Sequence, residues 1–295
     1  MADGPPARSV TVLSATAAVA LMLAAYALFA VVDTSTKWLL GAGYIAVQLA
    51  FLRYAVQFVI TSARLAATGT GALREARPLF PALIARAMML VVATVVNFFA
   101  LQFLSLAVVS AIMFTAPIIV CALSWPLLGE RVGPVRMTAI AFGFLGVLFV
   151  IRPFSTDWSW AAALMLIPAT GLALYSIMTR KLAGDVDALT MQFVLGLTGT
   201  VVILPFALLN WVMPASLMDT VLMLSLGFFA WFGHELLIRA HRDAEASLLM
   251  PYTYSYLIYM TFAGYIVFND IPDVWTLVGA AMICASGLAI WWRTT

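Results

Sequence analysis

Ten apolar runs, each near the length of a membrane-crossing helix and joined by short connections, constrain this chain more than any other feature. They fall at about 13–37, 44–67, 80–101, 105–128, 134–151, 159–179, 187–209, 217–238, 245–268 and 273–292. A helix needs ~20 apolar residues to cross the hydrocarbon of a bilayer. The runs are continuous rather than alternating, which favours helices over a β-barrel. Of the 295 residues, 64% are apolar and 9% are charged, against roughly 25% charged in a soluble domain. So little polar surface excludes a water-soluble monomer. The expected fold is all-α and polytopic, with glycine and proline at the ends of several runs (Gly41, Gly69, Pro134, Pro214, Pro272).

Threading ten spans through a membrane sorts the basic residues. Arg8, Arg64, Arg74, Arg77, Arg86, Arg131, Arg136, Arg180, Lys181, Arg239, Arg242 and Arg293 fall on one side, leaving Lys37, Arg53 and Arg152 on the other. Excess Lys and Arg mark the cytoplasmic face, so both termini are expected there. The first run has only Arg8 ahead of it and no cleavage pattern, and it reads as a retained helix. Cys121 and Cys284 lie inside apolar runs and read as small core residues, with no disulfide or metal spacing behind them.

The stretch from Ala107 to Arg131 has an echo from Ala244 to Ile271. Ala107, Ser110 and Met113 fall on Ala244, Ser247 and Met250, and the polar stop Gly129-Glu130 falls on Asn269-Asp270. Each copy is an apolar helix carrying a proline, Pro117 or Pro251, closed by an acidic turn. In the ten-span count the first copy runs inward and the second outward. A duplicated five-helix unit must invert, and inverted repeats place a substrate near the membrane midplane. The expected halves are 1–153 and 154–295, forming one transmembrane bundle. The class implied is a transporter.

Several motifs also resemble a known family. In the first half they are Lys37, Arg53, the Ala/Ser-rich start of the fourth run leading to Pro117, and Gly129-Glu130-Arg131. In the second they are Ala244 to Pro251, Tyr254, Gly264, Asp270-Ile271-Pro272 and Gly279. With ten spans in about 300 residues, the chain resembles the drug/metabolite transporter superfamily in its EamA-type exporter branch. The resemblance implies a carrier of small metabolites, amino acids foremost, in a bacterial cytoplasmic membrane. The Trp-Gly often found in the first helix of the family is absent, with Tyr26 to Ala30 reading YALFA.

The ninth run supplies the densest candidate site. Tyr252, Tyr256 and Tyr259 follow i, i+4, i+7 spacing with Ser255 beside them. Tyrosines in mid-span suit a cavity that holds an amphipathic solute by ring contact and hydroxyl bonds. The alternative is hydroxyls bonding between helices, worth only about 0.6 kcal/mol each. Pro251 frees a backbone carbonyl beside the stripe. Asn97, Gln48, Gln57, Ser110, Thr115 and Gln192 are intramembrane polar residues, each as well suited to interhelical bonding as to substrate contact. Met113 joins Ser110 as a repeated position, while Tyr26 and Tyr175 are single aromatics that fit packing. Trp158 and Trp160 read as interfacial anchors.

Gating or coupling candidates are Asp33, Lys37, Arg53, His234, Glu235, Pro117 and Pro251. Asp33 and Lys37 are four apart and placed to pair near the outer mouth, where Arg53 can join them. His234-Glu235 sits near Arg239 at the inner end. The H-E-x-x-H zinc pattern fails because Ile238 occupies the second histidine position. No P-loop, G-x-S-x-G or dinucleotide turn is present, so no enzyme, cofactor, metal or nucleic-acid partner is expected. The partners are a small-molecule substrate and lipid, with the chain a monomer or weak dimer. With no carboxylate expected at mid-membrane, facilitation is favoured over proton antiport, and efflux of lipophilic cations is the alternative to amino-acid export.

Overall fold

The computed structural model describes residues 15–128, 134–152, 159–182, 184–243 and 250–292. Every regular element among them is helical. The longer helices are α1 (Ala15–Gly41), α2 (Ala46–Thr68), α3 (Phe80–Ala100), α4 (Leu106–Met113), α5 (Thr115–Leu128) and α6 (Pro134–Ile151). They continue with α7 (Leu166–Leu182), α8 (Ala188–Leu209), α9 (Leu217–Asp243), α10 (Ser255–Phe268) and α11 (Val274–Trp292). Helical residues occupy the described part of all ten expected runs. Six stretches are long and apolar enough to cross a membrane: Thr16–Gly41, Ala46–Thr68, Arg77–Ala100, Trp160–Leu182, Ala188–Leu209 and Leu217–Ala240. Shorter apolar helices accompany them. The chain is a multi-pass membrane protein, and exposed Val59, Phe206, Ile258, Phe262 and Ile266 give the bundle the apolar outer surface that lipid requires.

Packing partners recur in exchanged pairs between the halves. α1 packs on α9 as α3 does on α7, and α2 meets α9 as α3 meets α8. α2 pairs with α8, and α6 with α11. Glycines set the closest approaches. A Cβ on Gly146 would lie 2.8 Å from the Gly279 carbonyl oxygen, and one on Gly279 would lie 2.5 Å from that of Gly146, so α6 and α11 touch backbone to backbone. Small-residue spacing at Ala139/Gly143 and Ala281/Ala285 is the sequence pattern that suits such a contact. The first pair is buried in it, with the Ser286 hydroxyl donating to Ala139 O at 2.6 Å. Ala281 and Ala285 are exposed instead, because Gly279, Ile283 and Ser286 form the facing stripe.

The end of the bundle that holds Lys37 is tied by the connection between α10 and α11. Asn269 takes a left-handed conformation (φ 55°) after α10, and Asp270 N–H returns to Gly264 O at 3.0 Å. This turn aims Asp270 at Lys37, Nζ to Oδ2 2.9 Å, while Nζ also donates to Leu104 O at 2.8 Å. Three residues on, Asp273 caps α11 by accepting from Thr276 N–H at 2.8 Å and pairs with Arg152 at the end of α6. Its burial opposes ionisation, but the Thr276 hydrogen bonds and the Arg152 guanidinium outweigh this and hold its pKa below the usual carboxylate value. The opposite end is tied through Glu235, which accepts from Arg64 at 3.0 Å and Arg239 at 3.3 Å. The turn Gly129-Glu130-Arg131, the segment Ala244 to Leu249, and Trp158, Arg8 and Arg293 lie outside the described residues.

Candidate functional site

Two interrupted helices face each other inside the bundle. Pro117 has no N–H to give the carbonyl of Met113, and α4 ends at Met113 with α5 starting at Thr115. The ninth run begins as a 3-10 turn, Met250–Tyr254 around Pro251, before α10 takes over at Ser255. Phe114, at the first break, packs on Tyr254 (centroids 5.0 Å) and Tyr256 (6.4 Å) from the second. Aromatic contacts then run from Tyr256 to Tyr26 (6.1 Å), from Tyr26 to Phe29 (6.0 Å) and from Phe29 to His234 (5.0 Å). One wall of rings joins the α4–α5 break, α10, α1 and α9.

The 3-10 turn changes the tyrosine register. The single stripe of Tyr252, Tyr256 and Tyr259 assumed 3.6 residues per turn throughout, and a 3-10 segment has 3.0. Tyr252 is 36% exposed, whereas Tyr256 turns into the bundle and donates to Asp33 Oδ2. Tyr259 lines a cleft of about 290 Å³ between α1 and α10, with Ala30, Thr34, Ser35 and Phe262. Ser255 Oγ is buried without a partner among the described residues. Tyr254, not on the expected stripe, takes the contact with Phe114.

Asp33 is buried in this region and does not pair with Lys37, whose ammonium goes to Asp270. Asp33 lies eight residues before the end of α1, roughly 12 Å along the axis at 1.5 Å per residue. It therefore sits deeper than the outer-mouth position expected for it. Its second oxygen accepts from Asn97 Nδ2 at 3.3 Å, and Asn97 Oδ1 is buried without a partner among the described residues. One turn earlier on α3, Thr94 Oγ1 accepts from Arg53 at 3.3 Å. Arg53 lies over the Tyr54 ring (4.8 Å), and Tyr54 is itself bonded to Thr94 (2.8 Å) and Leu90 O (3.1 Å). Glycines on α8 and α9 make room for this pair of residues. A Cβ on Gly199 would meet the Tyr54 ring at 2.4 Å, and one on Gly227 would meet Arg53 O at 2.6 Å.

Arg86, sorted by sequence with the cytoplasmic charges, is buried between helices. It donates to Thr179 Oγ1 (2.6 Å), Tyr175 Oη (2.7 Å) and Met191 O (3.4 Å), with its guanidinium 4.2 Å from the Tyr175 ring centre. Tyr175 thus serves as a partner for Arg86. Of the remaining candidates, Ser110 bonds back to Ala107 O on its own helix (3.0 Å), and Met113 packs against the apolar core. Gln48 clamps Val212 through its N–H (3.0 Å) and carbonyl (2.8 Å). His234 touches Phe29, and Glu235 belongs to the Arg64–Arg239 cluster. Pro117 and Pro251 mark the two helix breaks. Sequence reasoning missed Thr94, Tyr54 and Phe114, the pairing of Asp270 with Lys37 and the burial of Arg86. For Arg86 a signal existed, since it interrupts an apolar run at Ala82 to Val92, where an ionisable residue is by default a candidate.

Comparison with known proteins adds the family context. The model of the EamA-like transporter family matches residues 16–152 and again 159–292. An S-adenosylmethionine uptake transporter of Rickettsia prowazekii is 25% identical over 88% of this chain and 86% of its own length. A pseudopaline exporter of Pseudomonas aeruginosa is 25% identical over 83% of this chain and 86% of its own. A riboflavin transporter of Vibrio cholerae is 30% identical over 60% of this chain and 59% of its own. A solved crystal structure, 17% identical, shares the fold with a TM-score of 0.63 over 94% of this chain and 96% of that one.

Proposed function

This chain belongs to the EamA-like transporter family, and from that premise we propose that it exports small amphipathic metabolites, amino acids foremost. Relatives named as carriers of small molecules make it a membrane transporter and not an enzyme. The carrying observation is the cluster of Asp33, Asn97, Arg53 and Tyr256 beside the ring wall of Tyr26, Phe29, Phe114 and His234. Charged and polar groups on one side and rings on the other suit a solute with a polar head and an apolar or aromatic body.

On our reading the halves 1–153 and 154–295 are inverted five-helix repeats that alternate access around this cluster. The separate matches of one family model to each half support it, as do the exchanged helix pairings and the facing breaks of the fourth and ninth runs. Broken helices at corresponding positions of two repeats are the usual pointer to a carrier's binding site. The Lys37–Asp270 pair then lies at the outer end and the Glu235 cluster at the inner end of a bacterial cytoplasmic membrane. Efflux of lipophilic cations is the second reading, favoured by the buried carboxylate of Asp33 beside aromatic rings.

Uptake and counterflow in proteoliposomes, with labelled amino acids and one lipophilic cation, separate the two. Saturable amino-acid flux stimulated by the same solute on the far side is the expected result. Flux of the cation alone would move the assignment to drug efflux, and flux that does not saturate would exclude a carrier.

A further inference from the structure

Arg53 and Asp33 are buried charges of opposite sign that do not pair with each other. Arg53 is 7% exposed and Asp33 8% exposed, and neither forms an ion pair among the described residues. A guanidinium has five N–H donors and cannot give up its charge. Among the described residues those of Arg53 reach Thr94 Oγ1 and the adjoining Tyr54, both neutral groups. A buried arginine this poorly bonded is costly within a membrane and marks a functional position. Asp33 accepts from Tyr256 and Asn97, two neutral donors. Beside it the Asn97 carbonyl oxygen is buried and has no partner among the described residues.

The helix α3 brings the two charges to one face. Thr94 holds Arg53 and Asn97 holds Asp33, and residues three apart on a helix are neighbours on its surface. The two poles are therefore presented next to each other, as a small dipolar group would need. The donors of Arg53 match a carboxylate, which a planar guanidinium binds in a two-pronged fashion. The oxygens of Asp33 and Asn97 match an ammonium. Tyr256 and Tyr26 continue from Asp33 into the ring wall, where the rest of the solute would lie.

We propose that Arg53 and Asp33 are the two poles of a zwitterion site, Arg53 binding the α-carboxylate and Asp33 with Asn97 the α-ammonium of an amino acid whose side chain rests on the Tyr26–Tyr256 rings. The inference rests on the export of amino acids proposed above and assigns the residues that recognise their head group. It moves Asp33 and Arg53 from gating to binding. Because the two poles balance, a zwitterion adds no net charge to the bundle, whereas a solute with one charge leaves the other pole unmatched.

The test uses the full chain purified in detergent and three probes with the same ring: L-phenylalanine, phenethylamine lacking the carboxylate, and 3-phenylpropionate lacking the ammonium. Affinity is read by ligand-induced thermal stabilisation and by competition against labelled phenylalanine. Wild type should bind phenylalanine at least about 10-fold more tightly than either truncated probe, one good charge-assisted contact being worth roughly that factor. Arg53→Gln should weaken phenylalanine to the level of phenethylamine and leave phenethylamine unchanged. Asp33→Asn should weaken phenylalanine to the level of 3-phenylpropionate. Equal wild-type affinity for all three probes would overturn the zwitterion site while leaving amino-acid export standing. No binding of any probe, with no amino-acid flux, would overturn both. Since the wild-type comparison needs no variant, it decides the matter even if Arg53→Gln fails to fold, and Arg53→Lys, which keeps the charge but not the fork, should then retain a partial preference.

Discussion

Arg53 and Arg86 are equally hidden, at 7% and 4% exposure, yet their surroundings differ. Arg86 reaches three acceptors on two neighbouring helices and lies against a tyrosine ring, so its charge is dispersed into a bonded network. Arg53 lies over a ring too, but among the described residues it reaches only the hydroxyl-bearing Thr94 and Tyr54 and keeps most of its donors in reserve. The same residue type at the same burial is a structural bolt in one place and an open anion-binding group in the other. Hydrogen-bond saturation distinguishes them; burial does not.

The largest expected effect breaks the saturated side. Arg86→Ala leaves Tyr175, Thr179 and Met191 without their donor, at about 2–3 kcal/mol. A fall of roughly 5 °C or more in the detergent melting temperature should follow. If Arg53→Gln lowers that temperature as much, the contrast between the two arginines is wrong. Next comes Gly199→Ala, whose Cβ would sit 2.4 Å from the Tyr54 ring. Overpacking of this kind costs about 1–3 kcal/mol, and displacing Tyr54 from beneath Arg53 should weaken substrate binding as well, which Gly146→Ala at the α6–α11 contact should not do.

Arg53→Gln itself should reduce amino-acid affinity by about 10-fold, close to 1.4 kcal/mol, with the melting temperature within about 2 °C of wild type. Tyr256→Phe keeps the ring and removes one donor from Asp33, about 1 kcal/mol, so a several-fold rise in apparent KM at unchanged protein yield is expected. Loss of expression would instead assign Tyr256 to packing. The smallest effect on stability belongs to Lys37→Gln. The Lys37–Asp270 pair is partly exposed, at 18% and 34% for the two side chains, and screening leaves such pairs about 0–1 kcal/mol. Here the transport rate should change while substrate affinity does not, as suits a contact at the end of the bundle rather than at the site.

Much of the fold was legible because it depends on local properties. The length and apolarity of each run are read from consecutive residues, and the break after Met113 follows from Pro117, four residues beyond it. Asp33, Asn97, Arg53 and Tyr256 were also legible as candidates, since polar groups inside apolar runs are costly and few. Their roles were less so. The tyrosine stripe of the ninth run was drawn on one helical period, and a single 3-10 turn moved Tyr252 out and brought Tyr254 to Phe114. Counting charges by side placed Arg86 with the loops, because a count by run cannot see how far a helix start is inserted or which way it is rotated.

By itself, then, the sequence determined a membrane bundle of apolar helices, a proline within each of the two echoed runs, and the short set of polar residues able to carry function. Only the tertiary structure decided which of them meet. Asp33 had Lys37 four residues away, yet it bonds Tyr256 at a separation of 223 residues, and Lys37 bonds Asp270 at a separation of 233. Helical spacing states which side chains are near on one cylinder, whereas the rotation of each helix against its neighbours is set by packing across the whole bundle, through contacts such as Gly199 on Tyr54 and Gly146 on Gly279.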